Sequence, residues 1–179
     1  MNFRKNKEKM TELMLAVERE NIECVKFLIG KGADLNAKNY YGETALMLAA
    51  KNGNIEVVKL FIEKGADLNA KNYYGETALM YTIYYGNIEV VKLFIEKGAD
   101  LNAKDGDGRT ALMLAAKNGN IEVVKLFIEK GADLNAKDGD GRTALMLAEE
   151  NWHTEIAKLL IGHGADVNTR DAYGRTALR

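Results

Sequence analysis

The chain has 179 residues, 47% of them hydrophobic and 28% charged, and its 25 basic and 26 acidic side chains leave a formal charge of −1. That is the composition of an ordinary soluble domain, with no basic field to condense on nucleic acid or anionic membrane. One cysteine, Cys24, allows neither an internal disulfide nor a thiolate cluster, which suits a reducing compartment and predicts a cytoplasmic location. The charged opening from Arg4 to Lys9, and the lack of any run of about 18 apolar residues, predict neither a secretory leader nor a membrane span.

Taken in chain order, the sequence repeats itself. Thr11 and Met14 recur every 33 residues, as Thr44, Thr77, Thr110, Thr143 and Thr176 and as Met47, Met80, Met113 and Met146. The tripeptide Gly-Ala-Asp keeps the same interval from Gly32 through Gly65, Gly98 and Gly131 to Gly164, so length here measures an array of small repeats rather than one globular core. In the repeat 39–71, Thr44 is suited to cap a helix over 45–52 that Gly53 ends. Asn54 opens a second helix, antiparallel to the first, whose Ile55, Val58, Phe61 and Ile62 share a face, and Gly65 closes it. The polar, glycine-bearing stretch between repeats reads as a β-hairpin-like turn. The predicted organisation is an N-terminal capping repeat at 1–38, full repeats at 39–71, 72–104, 105–137 and 138–170, and a partial repeat at 171–179.

The runs Asn39-Tyr40-Tyr41-Gly42-Glu43-Thr44-Ala45-Leu46 and Asn54-Ile55-Glu56-Val57-Val58-Lys59-Leu60, followed by Gly65-Ala66-Asp67, closely resemble the ankyrin repeat family over nearly the whole chain. The resemblance implies an all-α ankyrin-repeat solenoid. Two features depart from the family pattern. Ala45, Ala78, Ala111, Ala144 and Ala177 stand where proline is usual, which accounts for a chain without proline, and alanine's helix propensity preserves the helix start. Methionines replace the usual histidines, so apolar packing is expected where the family makes hydrogen bonds between neighbouring turns.

Comparing repeats inside the one chain locates the variation. Repeats 39–71 and 72–104 agree at 28 of 33 positions, and the five differences are consecutive, 48–52 becoming Tyr81, Thr82, Ile83, Tyr84 and Tyr85. Repeats 39–71 and 105–137 agree at 29 of 33, and all four differences lie in the turn, where Asn39, Tyr40, Tyr41 and Glu43 become Asp105, Gly106, Asp107 and Arg109. The outer-helix residues Lys59, Glu63 and Lys64 recur unchanged, so the scaffold is constant while turns and first helices vary. In ankyrin proteins those elements line the concave face that usually meets partners. All eight tyrosines lie there: Tyr40, Tyr41, Tyr73, Tyr74 and Tyr173 in turns, and Tyr81, Tyr84 and Tyr85 on one helix face. Core filling suits Ile83, and Tyr81 is open to the same reading; for the others contact is the better reading, because tyrosine offers large, rigid area with a hydroxyl. Tyr73, Tyr74, Tyr81, Tyr84 and Tyr85 are expected to carry most affinity. Asp107, Arg109, Asp140 and Arg142 read either as a polar rim or as solvated turns chosen for Asp and Gly, the second being favoured.

Other chemistry is weak. Asp138, Asp140 and Glu149 mimic part of a calcium loop, but Arg142 and Thr143 occupy places that need an oxygen ligand and glycine. His153 and His163 have no third ligand, Cys24 aligns with Val57 on a buried face, and Trp152, in place of a helix-ending glycine, reads as packing over the last full repeat. No catalytic motif, metal site or cofactor is expected. The reading is a non-catalytic, monomeric module that binds a protein partner. The alternatives are a self-associating scaffold and, against the near-neutral charge, single-stranded nucleic-acid binding by tyrosine stacking with Arg109, Arg142 and Arg175. Near-identical inner repeats also resemble designed ankyrin binding proteins, while a natural array expanded by duplication shares that homogeneity.

Overall fold

The computed structural model describes residues 9–177; residues 1–8 of the expected capping repeat and 178–179 of the partial repeat lie outside the described residues. The chain divides into two compact units, Met1–Ala99 and Asp100–Arg179, and so within the Gly98-Ala99-Asp100 tripeptide rather than between 104 and 105. The first unit holds α1 (Glu12–Glu18), α2 (Ile22–Gly30), α3 (Ala45–Asn52), α4 (Ile55–Glu63), α5 (Ala78–Tyr84) and α6 (Ile88–Glu96). The second holds α7 (Ala111–Asn118), α8 (Ile121–Glu129), α9 (Ala144–Glu150) and α10 (Thr154–Gly162). Each unit is a stretch of all-α solenoid in which helix pairs stack side by side. In the first, α1 packs on α2 and α3, α3 on α4 and α5, and α6 on α4 and α5; in the second, α7 packs on α8 and α9, and α10 on α8 and α9.

The short first helices begin where the threonine ladder predicts. Thr11, Thr44, Thr77, Thr110 and Thr143 each accept a hydrogen bond from the backbone amide of the methionine three residues on, which satisfies one of the orphan amides of the first turn. The methionines are buried, and two of them do more than pack. The Thr44 amide donates to Met47 Sδ at 3.5 Å and the Thr110 amide to Met113 Sδ at 3.4 Å, so sulfur closes a reciprocal cap. Ala-Leu-Met-Leu-Ala-Ala then extends α3 and α7 through strong helix formers. Helix α5, with Thr82, Ile83 and three tyrosines in the corresponding stretch, stops one residue sooner, and Thr82 turns its hydroxyl back to donate to the Leu79 carbonyl at 2.6 Å.

The second helices bury Val57, Val58 and Phe61 in α4, with Val90, Val91 and Phe94 and then Val123, Val124 and Phe127 repeating the pattern. Each buried phenylalanine contributes roughly 1.5–3 kcal/mol by area. Ile55, expected on this face, is exposed instead, because it opens the helix at its outer edge, and Ile62 is half-buried. Cys24 is half-buried rather than in the core: α4 runs between α2 and α6, whereas among the described residues α2 has no second helix on its other side.

Second helices also finish the first helices of the preceding repeat. Asn87 Nδ2 donates to the Ala50 and Lys51 carbonyls at 2.8 and 3.1 Å, and His153 Nε2 lies 3.0 Å from the Lys117 carbonyl oxygen. Gly53 makes the first of these contacts possible. Its φ is +71°, and a Cβ there would stand 2.5 Å from Asn87 Oδ1.

The turns between repeats form no strand among the described residues, only one isolated bridge between Lys104 and Thr110. Backbone bonds link neighbouring tips instead: the Tyr73 amide donates to the Tyr41 carbonyl at 3.0 Å in the first unit, and in the second Gly139 donates to Asp107 at 2.7 Å and Ala172 to Asp140 at 2.8 Å.

Candidate functional site

The tips of the first unit are built on a buried asparagine. Asn39 Oδ1 accepts from the Tyr41 and Glu43 amides, both at 2.9 Å, and Asn72 Oδ1 does the same for Tyr74 and Glu76. This Asx turn fixes the loop without a β-ladder. The Asn39 and Asn72 amide groups then donate to Glu43 Oε2 at 2.7 Å and Glu76 Oε2 at 2.8 Å. Gly42, at φ +78°, leaves the space into which the next tip fits, since a Cβ there would stand 2.7 Å from the Tyr73 nitrogen. With the backbone held from inside, Tyr40, Tyr41, Tyr73 and Tyr74 stand exposed on the tips, and Tyr40 meets Tyr41 edge to face at 5.8 Å between ring centroids.

Tyr81 differs from the others. It is only 8% exposed, its hydroxyl donates to Glu43 Oε1 at 2.6 Å, and the same oxygen accepts from Asn72 Nδ2 at 3.1 Å. Burial, and then the bond to Glu43, push its phenol well above the ordinary tyrosine range. A residue of α5 therefore ties together the tips of two successive repeats; it is a strut, and not one of the exposed anchors. Its ring leans on Tyr85 at 6.3 Å, and Lys51 Nζ sits 5.4 Å from the Tyr85 ring centroid. Tyr84 and Tyr85 are exposed.

Between these tips and helices runs a groove of about 530 Å³. Tyr40, Tyr41, Tyr74 and Tyr81 form aromatic walls, Met10 and Leu48 add apolar surface, and Glu18, Glu43, Glu76 and Lys51 supply the charge. The fold brings these four tyrosines into one cleft and leaves Tyr73, Tyr84 and Tyr85 beside it. Sequence reasoning missed Asn39, Glu43, Asn72 and Glu76. A signal existed, since Asn39 and Glu43 change together when they become Asp105 and Arg109.

In the second unit the same turn carries the opposite polarity. Asp105, Asp138 and Asp171 are buried, and Oδ1 of each accepts the two amides of its turn. Oδ2 of each takes a two-pronged guanidinium, at 2.8 and 2.8 Å from Arg109, 3.0 and 2.9 Å from Arg142, and 2.7 and 2.7 Å from Arg175. Arg109 and Arg142 also reach Asp107 at 3.0 Å and Asp140 at 3.1 Å. Burial works against the Arg142 charge, but the bond and the field of Asp138 prevail and raise its pKa. For Asp171, burial is outweighed by hydrogen bonds from Arg175 and Tyr173, and its carboxyl is held below the usual range. Both arginines expected at the site are thus internal braces of their turns. Tyr173 is exposed, with the Arg175 guanidinium 5.0 Å from its ring centroid.

Trp152 does not pack. It is 89% exposed at the rim of a cleft of about 600 Å³ lined also by Met146, Glu149 and Arg175. It holds the left-handed position (φ +62°) that Gly53 and Gly119 fill elsewhere; a Cβ at those glycines would meet Asn87 or His153 of the next repeat, and among the described residues no helix follows α10 to meet Trp152 in that way. Among the described residues, no group of three His, Cys, Asp or Glu side chains could hold a metal ion, and no helix is long and apolar enough to cross a membrane.

Helix pairs joined by hydrogen-bonded tips, with variation gathered at the tips and first helices, define a helical repeat protein. The chain belongs to the ankyrin repeat family: the family model for three ankyrin repeats matches residues 1–72 and 67–138, and the single-repeat model matches 140–172. Ankyrin repeats generally mediate protein–protein interaction, and the family is typically non-catalytic. A comparison with curated proteins found no match.

Proposed function

We propose that the first unit is a non-catalytic binding site for a protein partner, centred on the tyrosine-walled groove and the tips around it. The observation that carries this is the concentration of exposed aromatic surface: Tyr40, Tyr41, Tyr73, Tyr74, Tyr84 and Tyr85 all stand at least partly in solvent within one compact unit, on a backbone held rigid from beneath. Rigid, amphipathic side chains on a fixed frame bind with little ordering cost, which is the condition for hot spots. Tyr81 contributes by holding Glu43 and Asn72 in place rather than by contact. Asp107, Asp140 and Tyr173 add a polar surface on the second unit, where Arg109 and Arg142 brace the turns. The protein acts as a monomer in the cytoplasm, consistent with its lone, unpaired Cys24.

The test is capture of partners from a lysate on the immobilised chain and on a Tyr40→Ala, Tyr41→Ala, Tyr74→Ala variant, with circular dichroism confirming equal helicity. A partner retained by the parent chain and lost by the variant is expected, each anchor costing about 2 kcal/mol or more. Equal retention by both would remove these tyrosines from the binding site.

A further inference from the structure

Resting on the reading of this groove as a protein-binding site, we infer that it takes an arginine side chain of the partner. Three carboxylates, Glu18, Glu43 and Glu76, face one cation, Lys51, among the groove's described residues. None of the three makes an ion pair among the described residues, and the Lys51 ammonium lies over the Tyr85 ring. The groove is negative, and a cation from outside completes it.

The walls say which cation. Tyr40, Tyr41 and Tyr74 offer exposed aromatic surface, on which a planar, weakly hydrated guanidinium stacks better than a compact ammonium does. The carboxylate of Glu43 is fixed in advance, with Oε1 held by the Tyr81 hydroxyl at 2.6 Å and Oε2 by Asn39 at 2.7 Å. Each ionised carboxylate oxygen has two acceptor positions, so both oxygens keep one for a two-pronged donor. The second unit pairs carboxylate and guanidinium within its own chain, at Asp105–Arg109 and Asp138–Arg142. The first unit presents the acceptor half alone. A groove of about 530 Å³ lies within the size range of ligand clefts and accommodates a long side chain with its flanking backbone.

A random dodecapeptide library displayed on phage, panned on the full chain and counter-selected on the Tyr40→Ala, Tyr41→Ala, Tyr74→Ala variant, tests this. Enriched peptides are expected to share an arginine. In the synthetic peptide, citrulline at that position should weaken binding at least about tenfold, because it keeps the shape and removes the charge. Glu43→Gln combined with Glu76→Gln should weaken the arginine peptide by a similar factor and the citrulline peptide by clearly less; Glu18→Gln, which breaks none of the groove's side-chain hydrogen bonds, should weaken the arginine peptide less, in the same direction. Peptides that need the tyrosines but not an arginine, a lysine that serves equally well, or a citrulline peptide of equal affinity would overturn the arginine assignment while the binding site stands. A library in which nothing distinguishes the chain from the tyrosine variant would overturn both.

Discussion

The tips at 39–43 and 138–142 fold alike and face the solvent differently. In both, a buried side-chain oxygen accepts two turn amides, at 2.9 and 2.9 Å from Asn39 and at 3.0 and 2.8 Å from Asp138. What differs is the second bond. Asn39 donates to a glutamate, whereas Asp138 accepts from an arginine. The asparagine version leaves a carboxylate with spare acceptor capacity beside exposed tyrosines; the aspartate version neutralises its charge on the spot and surrounds it with Gly139 and Asp140. One backbone geometry therefore supports a surface that invites a partner and a surface that is already internally balanced. The pairing is obligatory, because exchanging one member alone sets like charges together or strands a buried one.

Breaking the balanced tip should have the largest effect. Arg142→Ala leaves the Asp138 carboxylate, with a side chain only 1% exposed, with no counter-charge, and a loss of about 3 kcal/mol is expected in urea unfolding. Arg142→Lys should recover only part of that, since one ammonium cannot make both bonds. Next comes Asn39→Asp, which turns a donor toward Glu43 into a second carboxylate. It should cost about 2 kcal/mol, and adding Glu43→Arg should restore most of the stability by converting the tip to the other type. If the double variant is no more stable than the single one, the two tips are not interchangeable frames.

The smallest effect is expected at the strut. Tyr81→Phe removes two hydrogen bonds and should cost about 1 kcal/mol. Its pH signature is more specific. Because the phenol is raised above 10.0 in the folded chain, its contribution is fully present below that pH and is lost as pH rises through the folded value. Urea unfolding of the parent chain should therefore weaken above pH 10.0, and more steeply than that of Tyr81→Phe; parallel alkaline limbs would show that the hydroxyl is not coupled to Glu43.

Much of this architecture is legible in the residues. Threonine three positions before methionine announces each first helix, and glycine marks the end of α3 and α7, because capping is local chemistry. Asn39 and Glu43 are also local, and their joint exchange for Asp105 and Arg109 is visible in the repeats, although only the geometry says which atoms pair. The bond from Tyr81 to Glu43 spans 38 residues, and period and propensity say nothing about where a phenol ends. Trp152 fails for another reason. A large aromatic residue at the end of a helix suggests burial, but a side chain at this left-handed position faces where the next repeat stands elsewhere, and among the described residues no helix follows α10 to cover it.

The clasp that Asn87 places on Ala50 and Lys51, repeated by His153 on Lys117, gives the stack a direction. At the ends of α3 and α7 the cap amides reach only some of the last carbonyls, and the neighbour on the C-terminal side adds a bond to Lys51 and to Lys117. The repeats 39–71 and 105–137 are each completed by a successor in the same unit, so during synthesis on a ribosome either helix pair stays unfinished until the next 33 residues have emerged. The clasp carries faults both ways: loss of Asn87 ahead of α6 is felt at the end of α3, and a side chain at Gly53 after α3 would strike Asn87.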